Sequence, residues 1–157
     1  MSSNLYDRTV RELMSKDVVN IHFHETVHDA LQLMVENRLA ALPVIDGHRH
    51  CVGMISTADL IDLTLEVDDE LNDASKGPAS PQWLLDQFAE GLGHQKIEEL
   101  MTENVTNIGP DAPLLEATSL MVKHHIHHLP VVDDEGKLLG ILSTIDILRA
   151  VEQSAPK

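Results

Sequence analysis

The sequence predicts a mixed α/β (α+β) fold in which one β-α-β-β-α unit is used twice, the copies related by a pseudo-twofold and packed through their sheets. Three observations carry this reading: a repeat at long spacing, a fixed order of hydrophobic periods inside each copy, and turn-forming residues at matching places. Val10-Arg-Glu-Leu-Met14 returns as Ile97-Glu-Glu-Leu-Met101, and the displacement, 97 − 10 = 87 residues, holds without a gap to Ile61 and Leu148. Leu42-Pro-Val-Ile-Asp46 falls on Leu129-Pro-Val-Val-Asp133, and Gly53-Met-Ile-Ser-Thr-Ala-Asp59 falls on Gly140-Ile-Leu-Ser-Thr-Ile-Asp146. Two copies this far apart argue for a paired module and against a solenoid.

Each copy opens with a short strand. Val27, Ala30, Leu31 and Met34 then recur at the i, i+3, i+4, i+7 spacing of an amphipathic helix, and Leu114, Ala117, Thr118 and Met121 repeat the pattern more weakly. Thr26-Val-His-Asp29 has the form of a helix N-cap followed by an acid three residues on. Two apolar runs follow, residues 42–45 and 51–55, joined by a polar turn that opens with Asp46-Gly47, with Asp133-Asp-Glu-Gly136 in copy two; they read as paired strands. A second helix begins after Ser56 and Ser143, with Leu60, Ile61 and Leu63, or Ile147, Leu148 and Val151, as its apolar residues. The first repeat therefore covers 1–67, an acidic linker 68–95, and the second repeat 96–157. Inside the linker, Lys76-Gly-Pro-Ala-Ser-Pro81 reads as a loop, and Trp83, Leu84, Leu85 and Phe88 are expected on a helix that packs over its own module or docks a partner.

At 157 residues and 17.4 kDa, the chain has room for one domain or two small lobes that share a core. Eleven Lys and Arg against 26 Asp and Glu give a net charge of −15, which disfavours nucleic acid and anionic membrane surfaces as partners. Residues 1–8 lack the apolar run of a signal peptide and the longest apolar stretch, residues 39–45, is too short to span a bilayer, so the expectation is a soluble cytoplasmic protein. The single cysteine, Cys51, excludes an internal disulfide and reads as core filler.

Several motifs carry possible chemistry. His24-Glu25-Thr26-Val27-His28 matches the H-E-x-x-H zinc-hydrolase pattern, which requires both histidines inside one helix. The capping signal at Thr26 puts His24 before the helix, and copy two, with Asp111-Ala-Pro-Leu-Leu115, keeps none of the three residues. His124-His-Ile-His-His128 is the densest imidazole cluster; on an extended strand, however, His125 and His127 point away from His124 and His128, against convergence on one metal ion. Ser56-Thr-Ala-Asp59 and Ser143-Thr-Ile-Asp146 are capping boxes, and each also follows a strand and opens a helix, where free N–H groups favour an anion and the Asp can accept from ribose hydroxyls. No nucleophile elbow, P-loop, dinucleotide fingerprint or C-x-x-C is present, and the reading is non-enzymatic.

With these motifs in place, the chain resembles a tandem cystathionine-β-synthase-domain pair, or Bateman module. Copy two carries the family pattern at each landmark: Leu100-Met-Thr-Glu-Asn-Val105, Ile108-Gly-Pro-Asp-Ala-Pro113, His128-Leu-Pro-Val-Val-Asp133 and Gly140-Ile-Leu-Ser-Thr-Ile-Asp146. The resemblance implies a homodimeric, regulatory module that performs no chemistry, needs no cofactor, binds AMP, ADP, ATP (with or without Mg²⁺) or S-adenosylmethionine between the copies, and signals to a separate protein. It further implies Asp59 and Asp146 as ribose contacts, and Ser56, Ser143, His127 and His128 as phosphate contacts. Val18, Val19 and Ile21, with Val105, Thr106 and Ile108 in copy two, are implied to line the adenine pockets. Copy one departs from the pattern, with Ala40 and Ala41 where copy two has His127 and His128, so the sites are expected to be unequal. Two other readings stand beside this one: an apo interaction module in which Ser56 and Ser143 are only helix caps, and a zinc hydrolase at His24, Glu25 and His28.

Overall fold

The computed structural model describes residues 4–68 and 91–155, so the helix expected around Trp83 lies outside the described residues. In chain order the elements are a 3₁₀ turn Leu5–Asp7, α1 (Val10–Leu13), β1 (Ile21–His22), α2 (Val27–Asn37), β2 (Ala41–Ile45), β3 (Cys51–Ser56), α3 (Thr57–Asp68), a 3₁₀ turn Leu92–His94, α4 (Ile97–Leu100), α5 (Leu114–His124), β4 (His128–Val132), β5 (Leu138–Ser143) and α6 (Thr144–Ser154). They gather into two compact units. The copy-one unit comprises Val19–Asp46 and Val52–Glu103; the copy-two unit comprises Met1–Val18, Gly47–Cys51 and Asn104–Lys157.

In the copy-one unit, Ile21, Val27, Ala30, Leu31, Met34, Leu42, Val44, Ile55, Leu60 and Ile97 form the core. The order of its sheet is β1-β2-β3, with β1 parallel to β2 in the register Ile21↔Val44 and His22↔Ile45. Thr26 caps α2 as the sequence indicates: its hydroxyl accepts from the Asp29 N–H at 3.3 Å and donates to Asp29 Oδ2 at 2.7 Å.

The copy-two unit repeats this core with Ile108, Leu114, Ala117, Met121, Leu129, Val131, Leu142 and Val10. Its sheet is the antiparallel pair β4-β5, with His128 opposite Ser143. The short first strand expected here is reduced to one parallel bridge, Ile108↔Val131. Pro110 is the reason: it occupies the place of Phe23, whose N–H bonds the Ile45 carbonyl at 3.1 Å in copy one, and a proline has no N–H to extend the ladder.

Two further expectations change. The run from His124 to His128 is not an extended strand: His124 ends α5, His125 is a left-handed cap with φ of 53°, and Ile126 N–H returns to the Met121 carbonyl at 3.1 Å. This is the Schellman closure of a helix, made at the same place in copy one by Arg38 with φ of 54° and Leu39 N–H on Met34. Among the apolar residues of the second helices, Leu60 is buried but Ile61, Leu148 and Val151 are exposed, and Ala150 takes the core position. Cys51 is half-buried, short of the core place expected for it.

Each unit is completed by a helix belonging to the other sequence repeat. In the copy-two unit the Val10 side chain is fully buried, with Val10 N–H on the Ala112 carbonyl at 3.0 Å and Arg11 N–H on the Pro110 carbonyl at 2.8 Å. In the copy-one unit Ile97 is fully buried, with Ile97 N–H on the Glu25 carbonyl at 2.9 Å and Glu98 N–H on the Phe23 carbonyl at 3.1 Å. The docked segments then run over a glycine in each case. Ser15 exchanges backbone bonds with Ile141 beside Gly140, and Thr102 does so with Met54 beside Gly53. A Cβ on Gly140 would stand 2.8 Å from the Ser15 carbonyl oxygen, and one on Gly53 2.8 Å from that of Thr102, so close approach explains both glycines.

Candidate functional site

The copy-two site is built where β5 turns into α6. Ser143 is the N-cap, so its backbone and hydroxyl face a helix start whose first N–H groups lack intrahelical partners. The Ser143 N–H and hydroxyl both donate to Asp146 Oδ2 at 2.8 Å, and the Asp146 N–H returns to Ser143 Oγ at 3.3 Å. The other carboxylate oxygen, Oδ1, stays outside this box and lies 3.7 Å from Arg149 Nη1, the Asp146 side chain being 12% exposed. The box therefore occupies one oxygen of Asp146 and leaves the second to accept from a donor such as a sugar hydroxyl.

β4 brings the histidines to the same place. His128 pairs with Ser143 across the ladder, and the His127 carbonyl accepts from the Thr144 N–H at 3.0 Å, tying that stretch to the first turn of α6. His128 is half-buried, and its pKa is held below the ordinary histidine value mainly by desolvation, then by His127, against the opposing pull of Asp146. Near neutral pH it is therefore the uncharged imidazole, able to donate one hydrogen bond.

Copy one has the same frame without the imidazoles or the guanidinium. Ser56 N–H and hydroxyl donate to Asp59 Oδ2 at 2.7 and 2.9 Å, and the Ala40 carbonyl accepts from the Thr57 N–H at 2.9 Å. Ala40 and Ala41 stand where His127 and His128 do, and Asp62 stands where Arg149 does. Arg149 was not among the residues singled out from sequence, although its i, i+3 spacing from Asp146 on a helix is the signal that finds it.

The residues expected to line an adenine pocket are placed unevenly. Val105 and Thr106 are half-buried, as are Val18 and Val19, but Ile21 and Ile108 are core residues whose side chains are spent on packing. Val18 falls in the copy-two unit, apart from Val19 and Ile21.

The metal readings find no geometry. His24 and Glu25 precede α2 while His28 lies inside it, and Glu25 Oε2 is taken by the His22 N–H at 2.7 Å, so the three share no helical face. Among the described residues no three His, Cys, Asp or Glu side chains are gathered as a metal set, the stretch from His124 to His128 included. No helix among them is long and apolar enough to cross a membrane.

Residues 10–66 and 97–153 each match the CBS domain. The chain belongs to the CBS-domain family. Within it, MJ1426 of Methanocaldococcus jannaschii is 30% identical over 152 residues, which span 90% of this CBS pair and 90% of that protein. The crystal structure of CBSX2 from Arabidopsis thaliana in complex with AMP matches with a TM-score of 0.72 at 29% identity, covering 92% of this CBS pair and 96% of that chain. The CBS domain pair of MJ0100, in complex with 5′-methylthioadenosine and S-adenosyl-L-methionine, matches with a TM-score of 0.69 at 24% identity over 94% of this CBS pair and 98% of that chain, a likeness of fold. The tandem repeat and the mixed α/β architecture read from sequence are thus those of CBS pairs.

Proposed function

We propose that this CBS pair is a regulatory module that binds an adenosine-containing ligand and passes its occupancy to a separate protein. The observation that carries the reading is the Ser143 and Asp146 box, which spends one carboxylate oxygen on the helix cap and leaves Oδ1 for a ribose hydroxyl. The likeness to CBSX2, whose structure contains AMP, supports the ligand class. Among AMP, ADP, ATP, its Mg²⁺ complex and S-adenosylmethionine, the residues favour AMP. His127, His128 and Arg149 offer cations or donors for one phosphate, and the chain's net charge of −15 repels a free triphosphate.

The phosphate contact differs from the one the resemblance implies. The Ser143 hydroxyl proton is already given to Asp146, so His127, His128 and Arg149 carry the phosphate while Ser143 holds the helix start. Copy one, with Ala40, Ala41 and Asp62, is the weaker phosphate site and suits an uncharged nucleoside group. Signalling requires that ligand bind two states unequally, because occupancy without differential affinity shifts nothing. A homodimer and a cytoplasmic location complete the proposal.

The test is the thermal midpoint with and without millimolar AMP. Ligand at about 100 times its dissociation constant adds about 2.7 kcal/mol, a shift of several degrees for a chain of this size. Asp146→Ala is expected to abolish that shift while costing about 1 kcal/mol of cap stability. A flat response to AMP, ADP, ATP with or without Mg²⁺ and S-adenosylmethionine favours the interaction-module reading. That alternative rests on the exposed apolar residues Ile145, Leu148 and Val151 of α6.

A further inference from the structure

The two docked helices present a recognition problem, because both units accept them in the same way. The backbone bonds of Val10 and Arg11 to Ala112 and Pro110 are the counterparts of those of Ile97 and Glu98 to Glu25 and Phe23. Leu114 N–H bonds the Arg8 carbonyl at 2.9 Å, just as Val27 N–H bonds the Gln95 carbonyl at 2.9 Å. The apolar plugs, Val10 and Ile97, differ by one methylene and are both fully buried. Backbone and plug therefore do little to distinguish one helix from the other.

The next position does distinguish them. Arg11 in α1 donates to Asp111 through Nε to Oδ1 at 3.0 Å and Nη2 to Oδ2 at 3.3 Å, a forked pair. At the equivalent place in the copy-one unit, Glu98 of α4 lies with Oε1 3.9 Å from His24 Nδ1. Residues 11 and 98 correspond through the repeat, as do 24 and 111, so the helix charge is reversed between the units and the groove carboxylate of copy two is an imidazole in copy one. Lys96 strengthens the second arrangement by donating to the His24 carbonyl at 3.1 Å.

We propose that Arg11–Asp111 and Glu98–His24 are the specificity pairs that decide which docking helix each repeat accepts. The groove of copy two, ending in Asp111, fits a helix that begins apolar then cationic; the groove of copy one, ending in His24, fits one that begins apolar then anionic. In the exchanged arrangement Glu98 faces Asp111, replacing the forked attraction by like-charge repulsion, and Arg11 faces His24, where no carboxylate meets it. The pairs thus select the arrangement in which each helix completes the other repeat. This goes beyond the ligand reading and does not depend on it.

The test reverses the helices alone, in the full chain, with Arg11→Glu and Glu98→Arg together. An exposed ion pair changes an unfolding equilibrium by about 1.5- to 5-fold, so the variant is expected to unfold more readily by at least that factor, set by the loss of the Arg11–Asp111 fork. Adding Asp111→Arg and His24→Glu, which reverses the grooves as well, is expected to restore the unfolding midpoint. The neutral variant Arg11→Gln with Glu98→Gln keeps the shape without the charges and should fall between the two. Raising salt to about 1 M should compress all three differences, since the Debye length falls to about 3 Å. If the helix-reversed protein unfolds like the parent, or the groove reversal brings no recovery, the pairs are incidental and the proposal fails. AMP binding is scored separately on the parent chain, so its outcome leaves this one untouched.

Discussion

Replacing Gly140 by alanine tests how the docked N-terminal segment is held. A Cβ there would lie 2.7 Å from Met14 Sδ and 2.8 Å from the Ser15 carbonyl oxygen. The sulfur ends a flexible side chain and can move. The carbonyl cannot move alone, because Ser15 exchanges backbone hydrogen bonds of 2.9 and 3.0 Å with Ile141. Relief therefore loosens that bridge and draws on the segment that buries Val10. Two hydrogen bonds at about 0.5–1.5 kcal/mol each, plus part of the roughly 1.5–3 kcal/mol for a buried aliphatic side chain, set a loss of about 2–4 kcal/mol. A reduced entropy of the unfolded chain returns about 0.4–1 kcal/mol, so the net expectation is about 1–3 kcal/mol. Urea unfolding followed by far-UV circular dichroism measures it, with Gly47→Ala as control because nothing lies within 4 Å of a Cβ there. Adding Met14→Ala should not rescue Gly140→Ala, since the carbonyl contact remains. Equal stability of Gly140→Ala and Gly47→Ala would falsify the close-approach argument.

Other perturbations have directions set by the same structure. Thr26→Ala removes a cap whose hydroxyl bonds both atoms of Asp29 that complete the box, and is expected to cost about 1 kcal/mol by thermal unfolding; Pro113→Ala, at a helix start with no side-chain cap, should cost far less. Hydrogen bonds from Thr26 hold the Asp29 carboxyl below its ordinary pKa of 3.8, so its stabilisation is complete above that value and is lost as pH falls through the lower, folded one; Asp29→Asn should flatten the acid limb of the stability curve. His128 is depressed below 6.5, so the folded state binds fewer protons than the unfolded chain. Its contribution is intact above 6.5 and declines as pH falls towards the folded value, and His128→Gln should remove that slope. AMP bound beside His128 favours the protonated ring; its affinity should therefore rise as pH falls towards the depressed His128 value, and His128→Gln should lose that dependence.

The caps and the repeat were legible in the chain because both are local patterns. Ser-x-x-Asp at Ser143 and Thr-x-x-Asp at Thr26 close onto backbone atoms within three residues, so spacing alone specifies their geometry. The same locality made Ser56, Asp59, Ser143 and Asp146 readable as candidate site residues. The helix ends at Arg38 and His125 were less readable, for neither uses the glycine that usually marks a left-handed cap, and a run of histidines passed for a strand. Arg149 escaped attention since its meaning depends on which oxygen of Asp146 the cap leaves open.

Sequence by itself determined that one α/β unit occurs twice, where its helices begin, and that only copy two carries imidazoles, His127 and His128, just ahead of its Leu129-Pro130. Tertiary structure decided which segment completes which core. Val10 and Ile97 are near-equivalent apolar residues in near-identical motifs, and a hydrophobic pattern says that such a residue is buried without saying against what. It also decided that Ile21 and Ile108 pack inward, and that the Ser143 hydroxyl is committed to Asp146. Those outcomes turn on distances between residues far apart in the chain or on competition for one hydrogen bond, and neither is encoded in spacing.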